Sequence, residues 1–134
     1  MPSPETTASV YTAPDQQKPW GRETIFAAVE GKYVGKLIYV SAGHSLSCQY
    51  HNRKEETISL VEGQAVIEYG PDAEDLTSQV FTPGDTIHLP AGVVHRIAAV
   101  TDIVFVECST AFEGWRHDVV RLSDAYGREG TQAP

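Results

Sequence analysis

GHSLSCQYHNRKEE, at residues 43–56, is the stretch of this sequence that decides the fold, together with PAGVVHR at residues 90–96. Gln49 and His51 stand two positions apart, so on an extended strand both side chains point to the same face. Glu56 follows after a short polar turn and brings a carboxylate. The second stretch adds another imidazole, so the two stretches together predict one metal site with nitrogen and oxygen ligands.

Glu56 is the better ligand candidate of two adjacent glutamates. Counted in steps of two, it shares a face with the apolar residues Ile58 and Leu60, whereas Glu55 falls on the polar face. His95 is the histidine of the second stretch. Four protein ligands leave two positions open on a six-coordinate ion, which is room for two neighbouring oxygens of a substrate.

Composition limits the class of protein. A chain of 134 residues has room for one domain with a real core, and 41% hydrophobic and 21% charged residues are ordinary for a globular protein. No apolar run approaches the roughly 18 to 20 residues of a membrane span. The net charge of −8 argues against a nucleic-acid partner, because phosphate backbones bind basic patches. We expect neither a membrane nor a nucleic-acid partner.

Short β-like runs separated by Gly, Pro or Asp fill most of the chain. Such dense short strands predict an all-β sandwich or barrel. The predicted strands are residues 23–28, 33–40, 46–51, 56–62, 65–69, 79–81, 86–89, 95–99 and 103–108.

The ends of the chain are predicted to differ from its middle. Residues 1–18 lack periodicity and predict a flexible arm, residues 19–128 form one domain, and residues 129–134 form a disordered tail. Within the domain, residues 118–127 are expected to form a short turn or helix across the mouth of the barrel.

The cysteines indicate the compartment. Cys48 and Cys108 lie far apart without a CxxC spacing, and the N-terminus lacks a secretory pattern. A reducing cytoplasm is the expected location.

Both stretches resemble the two motifs of the cupin superfamily, whose fold is a double-stranded β-helix, or jelly-roll barrel. Residues that match the first motif are Gly43, His51, Glu56 and Gly63, and those that match the second are Gly84, Pro90, Gly92 and His95. Two positions depart from the superfamily: Gln49 stands at the first histidine position and Ala99 at the final asparagine position.

A narrower resemblance accounts for the glutamine. Residues 18–23 (KPWGRE), 46–51 (LSCQYH), 90–96 and 118–128 (DVVRLSDAYGR) are similar to the cupin domain of type II mannose-6-phosphate isomerases. The resemblance covers most of residues 18–128. In that family zinc is bound by Gln, His, Glu and His, and the matching residues here are Gln49, His51, Glu56 and His95. The resemblance therefore implies zinc, while iron, manganese, nickel or cobalt suit the same donors.

The reaction that the resemblance implies is an aldose–ketose isomerisation of a sugar phosphate through a metal-stabilised enediolate. Glu107, in an otherwise apolar strand, and Lys36 are the catalytic candidates for proton transfer, although each also fits a structural ion pair. Arg121 and Arg96 are the candidates for holding a phosphate or carboxylate. Arg96 directly follows a ligand, and by alternation it points away from the site.

Two other functions remain open on the sequence. One is a different biosynthetic cupin enzyme, such as an oxygenase, cyclase or dehydratase, which would use the same ion. The other is a non-catalytic sugar-binding cupin, because binding needs no base. In each case the partner is a small molecule, and pairing of exposed sheet edges favours a homodimer.

Overall fold

The computed structural model describes residues 7–131, and this part of the chain consists of eleven β-strands and one short 3₁₀ helix, Trp115–His117. The strands are β1 (Asp15–Lys18), β2 (Gly21–Val29), β3 (Tyr33–Val40), β4 (Cys48–Tyr50), β5 (Glu56–Glu62), β6 (Ala65–Gly70), β7 (Thr77–Phe81), β8 (Thr86–Leu89), β9 (Val94–Ala99), β10 (Ile103–Thr110) and β11 (Val120–Ser123).

The strands form two antiparallel sheets. The first has the order β1-β2-β3-β10-β5-β8, and the second has the order β11-β4-β9-β6-β7. Period-two alternation explains why the sheets face each other: in β10 the side chains of Ile103, Phe105 and Glu107 are buried, while the residues between them are more exposed. The all-β architecture predicted from the sequence is confirmed.

An apolar core fills one end of the space between the sheets, and charged groups fill the other. The core residues are Trp20, Ile38, Val40, Ile58, Leu60, Ala65, Ile67, Phe81, Leu89, Ile97, Ala99, Ile103 and Phe105. In β5, Glu56 comes before the core residues, and in the antiparallel β10, Glu107 comes after them. In β9, His95 likewise precedes the core residues. The polar ends of these three strands make up one end of the molecule.

Gly63 makes the tight turn between β5 and β6. Its φ is +86°, in the left-handed region, and a Cβ built on it would lie 2.2 Å from the carbonyl oxygen of Asp102. Only glycine fits this turn without movement of the neighbouring chain.

The structure differs from the predicted architecture near both ends. Residues 15–18, assigned to the flexible arm, form β1, which pairs with β2 along its whole length. Residues 118–127 contain no helix; they contain β11, which pairs with β4, and the predicted turn is confined to residues 124–127 after it. Residues 1–6 of the arm and 132–134 of the tail lie outside the described residues. The boundaries of the single domain stay a prediction.

Among residues 7–131, no helix has the length and the apolar character that crossing a membrane requires.

Candidate metal centre

Three predicted ligands converge at the polar end of the sandwich. His51 directly follows β4, Glu56 opens β5, and His95 lies on β9. Glu56 Oε1 lies 3.0 Å from His95 Nε2 and 3.4 Å from His51 Nε2. One ligand atom from each residue lies within 4.8 Å of the other two, and all three side chains are buried. Residues from both sheets therefore form a single three-sided site.

Backbone carbonyls orient the two imidazole rings. His51 Nδ1 lies 2.6 Å from the carbonyl oxygen of Asp118, and His95 Nδ1 lies 3.0 Å from that of Val93. Because a carbonyl oxygen only accepts, each Nδ1 carries the proton and donates. With Nδ1 of each ring engaged by a carbonyl oxygen, Nε2 is the ring nitrogen that faces Glu56, the arrangement that metal-binding histidines adopt.

A divalent cation fits this arrangement. His51 Nε2 is buried and makes no hydrogen bond within the part of the chain that the structure describes, which is costly for an interior polar atom. In their neutral form the two rings turn lone pairs toward a carboxylate oxygen, and this arrangement is repulsive unless a positive charge lies between them. Burial alone would lower the pKa of His95, but the facing Glu56 carboxylate raises it. The cluster thus has the donor atoms of a metal site, and a divalent cation would supply the positive charge between them.

Gln49 lies beside this cluster. It pairs with His95 in the register of β4 and β9, and it lines the same interior space as Glu56 and His95. Its Oε1 accepts a hydrogen bond of 2.7 Å from Ser47 Oγ. An amide oxygen has two lone pairs, so one remains for an ion. Coordination by Gln49 stays a prediction.

Lys54 completes the charged cluster, and the sequence analysis missed it. Its Nζ lies 3.2 Å from Glu56 Oε2 and 3.2 Å from Glu107 Oε2, and its side chain is buried. Burial alone would lower the pKa of Lys54, but the charges of Glu107 and Glu56 raise it above its usual value. Lys54 stands two positions before Glu56, so extending the period-two count into the loop would have placed it on the same face.

The two carboxylates beside Lys54 differ in pKa, although the charge of Lys54 lowers the pKa of both. For Glu56 the opposing effect of burial is outweighed by Lys54 and the two histidines, so the pKa of this carboxyl is lowered. For Glu107, burial and then the charge of Glu56 raise the pKa. Lys54 and the two histidines therefore favour the ionised form of Glu56, the form that a metal ligand needs.

Asp118 supports the loop that carries these groups, and the sequence analysis missed this role as well. Its carboxylate accepts backbone N–H bonds of 2.8, 2.9 and 2.8 Å from Asn52, Arg53 and Lys54. Burial alone would raise the pKa of Asp118, but these backbone hydrogen bonds lower it. Because its backbone carbonyl also accepts a hydrogen bond from His51, Asp118 orients both this proposed ligand and the loop that follows it.

The remaining candidates occupy different places. Lys36 and Arg121 line the same cavity as Glu107, and Lys36 also pairs with Glu23 at 3.4 Å. Arg96 lies on the outer face of β9 beside Glu68, with 41% of its side chain exposed. Its position matches the structural alternative and gives no support for substrate binding.

Two facing antiparallel sheets with a His–Glu–His cluster at one end define a cupin. The sequence agrees with this class, because residues 6–124 match the family model described as "Mannose-6-phosphate isomerase C-terminal". The chain belongs to that family.

Relatives and solved structures support the same fold. The chain is 28% identical over 120 residues to alginate biosynthesis protein AlgA of Pseudomonas aeruginosa; the match covers 87% of this chain but 23% of AlgA. CapF, a capsular polysaccharide assembling protein of Staphylococcus aureus, superposes with a TM-score of 0.71 at 18% identity over 84% of this chain and 34% of CapF. Oxalate decarboxylase of Bacillus subtilis gives a TM-score of 0.71 at 14% identity over 89% of this chain and 34% of the enzyme. The chain therefore spans about a quarter of its curated relative and a third of these two structures.

Proposed function

We propose that this chain is a metal-dependent aldose–ketose isomerase that acts on a phosphorylated sugar of the mannose 6-phosphate type. The observation that carries the proposal is the convergence of His51, Glu56 and His95 on one point, in a member of the Mannose-6-phosphate isomerase C-terminal family. AlgA and CapF, by their names, belong to polysaccharide synthesis, which is consistent with a sugar as substrate.

His51, Glu56 and His95 would hold the ion, with the amide oxygen of Gln49 as the fourth ligand. Zinc is the proposed ion, and iron, manganese, nickel and cobalt accept the same donors. When bound, the ion supplies a Lewis acid beside the carbonyl and neighbouring hydroxyl oxygens of the sugar.

Glu107 is the proposed base. An aldose–ketose isomerisation takes a proton from C2 and returns it to C1, and one carboxylate can do both. Glu107 lines the cavity, and its raised pKa brings it closer to the range that suits proton transfer at neutral pH. Lys54 Nζ lies 3.2 Å from Glu107 Oε2 and would keep the carboxylate in place.

Lys36 is the proposed partner of the substrate oxygens. It lies opposite Glu107 in the register of β3 and β10, and its ammonium group is positioned to donate a hydrogen bond into the same cavity. Its ion pair with Glu23 would hold it there.

A non-catalytic sugar-binding cupin is the second candidate. The observation that favours it is the ion pair between Glu107 and Lys54, because a carboxylate engaged by a buried ammonium is a weaker base. Substitutions of Glu107 and Lys36 that leave both sugar affinity and all activity unchanged would favour this second candidate.

The setting of the enzyme is also proposed. The first sheet ends on β1 and β8, and the second ends on β11 and β7. Pairing of one such edge with a second copy favours a homodimer. Both cysteines are free thiols, which is consistent with the reducing cytoplasm.

The test begins with metal analysis of protein purified without added metal. The loaded protein is then assayed for interconversion of mannose 6-phosphate and fructose 6-phosphate, with and without oxygen. We expect interconversion under both conditions, and a loss of at least a hundredfold in kcat for Glu107→Gln, the lower end of what general-base catalysis contributes.

Glu62→Gln is the matched control, because Glu62 is an exposed glutamate at the other end of β5. It should leave kcat and KM unchanged. No interconversion by a fully loaded protein would refute the isomerase, and activity that disappears without oxygen would point to an oxygenase.

A further inference from the structure

The cavity at the mouth of the sandwich has a charge opposite to that of the chain. The chain carries a net charge of −8, yet cations outnumber acids two to one among the charged residues that line this cavity. The cations are Lys18, Lys36, Lys54, Arg116, Arg121 and Arg128, and the acids are Glu23, Glu107 and Asp118. A positively charged cleft in an acidic protein concentrates anions.

Four of these cations lie close enough to repel one another. Besides burial, the charges of Lys36, Arg128 and Arg121 each lower the pKa of Lys18, against the opposing charge of Glu23. Burial and the charge of Arg128 likewise lower the pKa of Arg121, against the opposing charge of Asp124. Like charges held together in a cavity are unfavourable unless a ligand of the opposite charge joins them.

Within the described residues, acids pair with two of these four cations, and Arg121 Nη1 donates to the hydroxyl and carbonyl oxygens of Thr131 at 2.8 and 3.3 Å. Arg128 pairs with Asp124 at 2.9 Å, and Lys36 pairs with Glu23 at 3.4 Å. Lys18 makes no ion pair within the described residues. Its ammonium group is therefore available to an incoming anion.

The cluster lies next to the metal site. Arg121 on β11 pairs in register with Gln49 on β4, and Gln49 pairs with His95 on β9. Neighbouring antiparallel strands lie about 4.8 Å apart, so Arg121 stands about 10 Å from the strand of His95. That distance suits a molecule with its reacting oxygens at one end and an anionic group at the other.

We propose that Lys18, Arg121 and Arg128 form a subsite for a phosphate-type dianion. Guanidinium groups bind phosphate with paired N–H donors, and an ammonium group adds a compact charge. The subsite rests on the proposed function in one respect: the phosphate it holds would be that of the sugar. Compared with the candidates from the sequence, the subsite leaves out Arg96, which does not line this cavity. It keeps Arg121 and adds Lys18 and Arg128, which come from opposite ends of the domain.

The test is calorimetric titration of inorganic phosphate into protein kept in a chelator, so that phosphate has no metal to bind. Lys18→Met and Arg128→Met should each weaken phosphate binding by about tenfold, because each removes a charge-assisted hydrogen bond to the anion. Lys18→Arg keeps the charge and should restore most of the affinity. Lys18 lies on an edge strand, so its variants are expected to fold.

Lys32→Met is the matched control, because Lys32 is an exposed lysine in the turn before β3 and its loss changes the net charge equally. It should leave phosphate affinity unchanged. Unaltered affinity in Lys18→Met and Arg128→Met, an equal loss in Lys32→Met, or no phosphate binding at all would overturn the subsite.

The subsite and the isomerase can fail separately. Phosphate binding that needs Lys18, in a protein without isomerase activity, keeps the subsite and removes the proposed reaction. Interconversion of mannose 6-phosphate with a KM that Lys18→Met does not change keeps the reaction and removes the subsite.

Discussion

Replacement of Lys54 by methionine tests how the charge of the buried cluster is balanced. Lys54 lies 3.2 Å from both Glu56 and Glu107, and all three side chains are buried. With neutral histidines and no metal, the charges of these three groups sum to −1. Methionine has a similar length but no charge, so Lys54→Met leaves two carboxylates without a counter-ion inside the protein.

The expected cost follows from this geometry. Removing one partner of a buried ion pair typically costs about 3–5 kcal/mol, because the other charge stays buried. Glu107 already has a raised pKa, so it can take up a proton and limit the loss. We therefore expect the metal-free variant to lose about 3 kcal/mol, a large part of the roughly 5–15 kcal/mol of a typical domain.

A double variant separates this effect from packing. In Lys54→Met/Glu107→Gln only one carboxylate remains, so we expect about 1–2 kcal/mol of the loss to return, within the range of measured couplings between contacting residues. A bound divalent cation should also reduce the loss, since it supplies the charge that Lys54 supplied.

The measurement is urea unfolding of the metal-free protein, with Lys32→Met as a surface control that should change stability by less than about 0.5 kcal/mol. A loss below about 1 kcal/mol in Lys54→Met would contradict the account of a buried charge balance. So would a double variant whose loss equals the sum of the two single losses.

Three further predictions concern the loop, a turn and the ion. Asp118→Asn weakens three backbone hydrogen bonds to a charged acceptor, so we expect thermal unfolding to show a loss of about 1–3 kcal/mol; a loss near zero would contradict the role of its carboxylate. Gly63→Ala places a Cβ 2.2 Å from the carbonyl oxygen of Asp102 at a φ of +86°, and urea unfolding should show a loss above about 1 kcal/mol; a neutral result would mean that the turn relaxes. Zinc at about 100 times its dissociation constant should stabilise the chelator-treated protein by about 2.7 kcal/mol, and it should not do so in His95→Ala; equal stabilisation of both would place the ion elsewhere.

Period-two alternation predicted which residues of the first stretch face the interior, because in a strand the parity of a residue decides its face. It paired His51 with Gln49 and favoured Glu56 over Glu55, whereas His95 was predicted from the second stretch and its resemblance to a known motif. The all-β class was predicted from the density of short β-like runs separated by turn residues. Both depend on neighbours a few positions apart, which a single sequence displays directly.

Contacts between distant segments could not be predicted in this way. The sequence of β1 is Asp-Gln-Gln-Lys, a polar run without a hydrophobic pattern. It forms a strand through its backbone pairing with the edge of β2. Asp118 contacts the loop at residues 52–54 across more than 60 positions. Residues 118–128 carry part of the family resemblance, but no local pattern around Asp118 predicts this contact.

β11 connects the two halves of the proposed site. Through Arg121 it places a guanidinium beside Gln49, and just before it the carbonyl of Asp118 orients His51. Residues 118–127, predicted only as a turn or helix across the mouth, therefore line the cavity. They also orient His51, a proposed metal ligand. Because antiparallel pairing fixes the register of β11 against β4, a one-residue slip would turn Arg121 outward and detach Asp118 from His51. The spacing between the anionic subsite and the metal centre is thus determined by strand register rather than by a mobile loop.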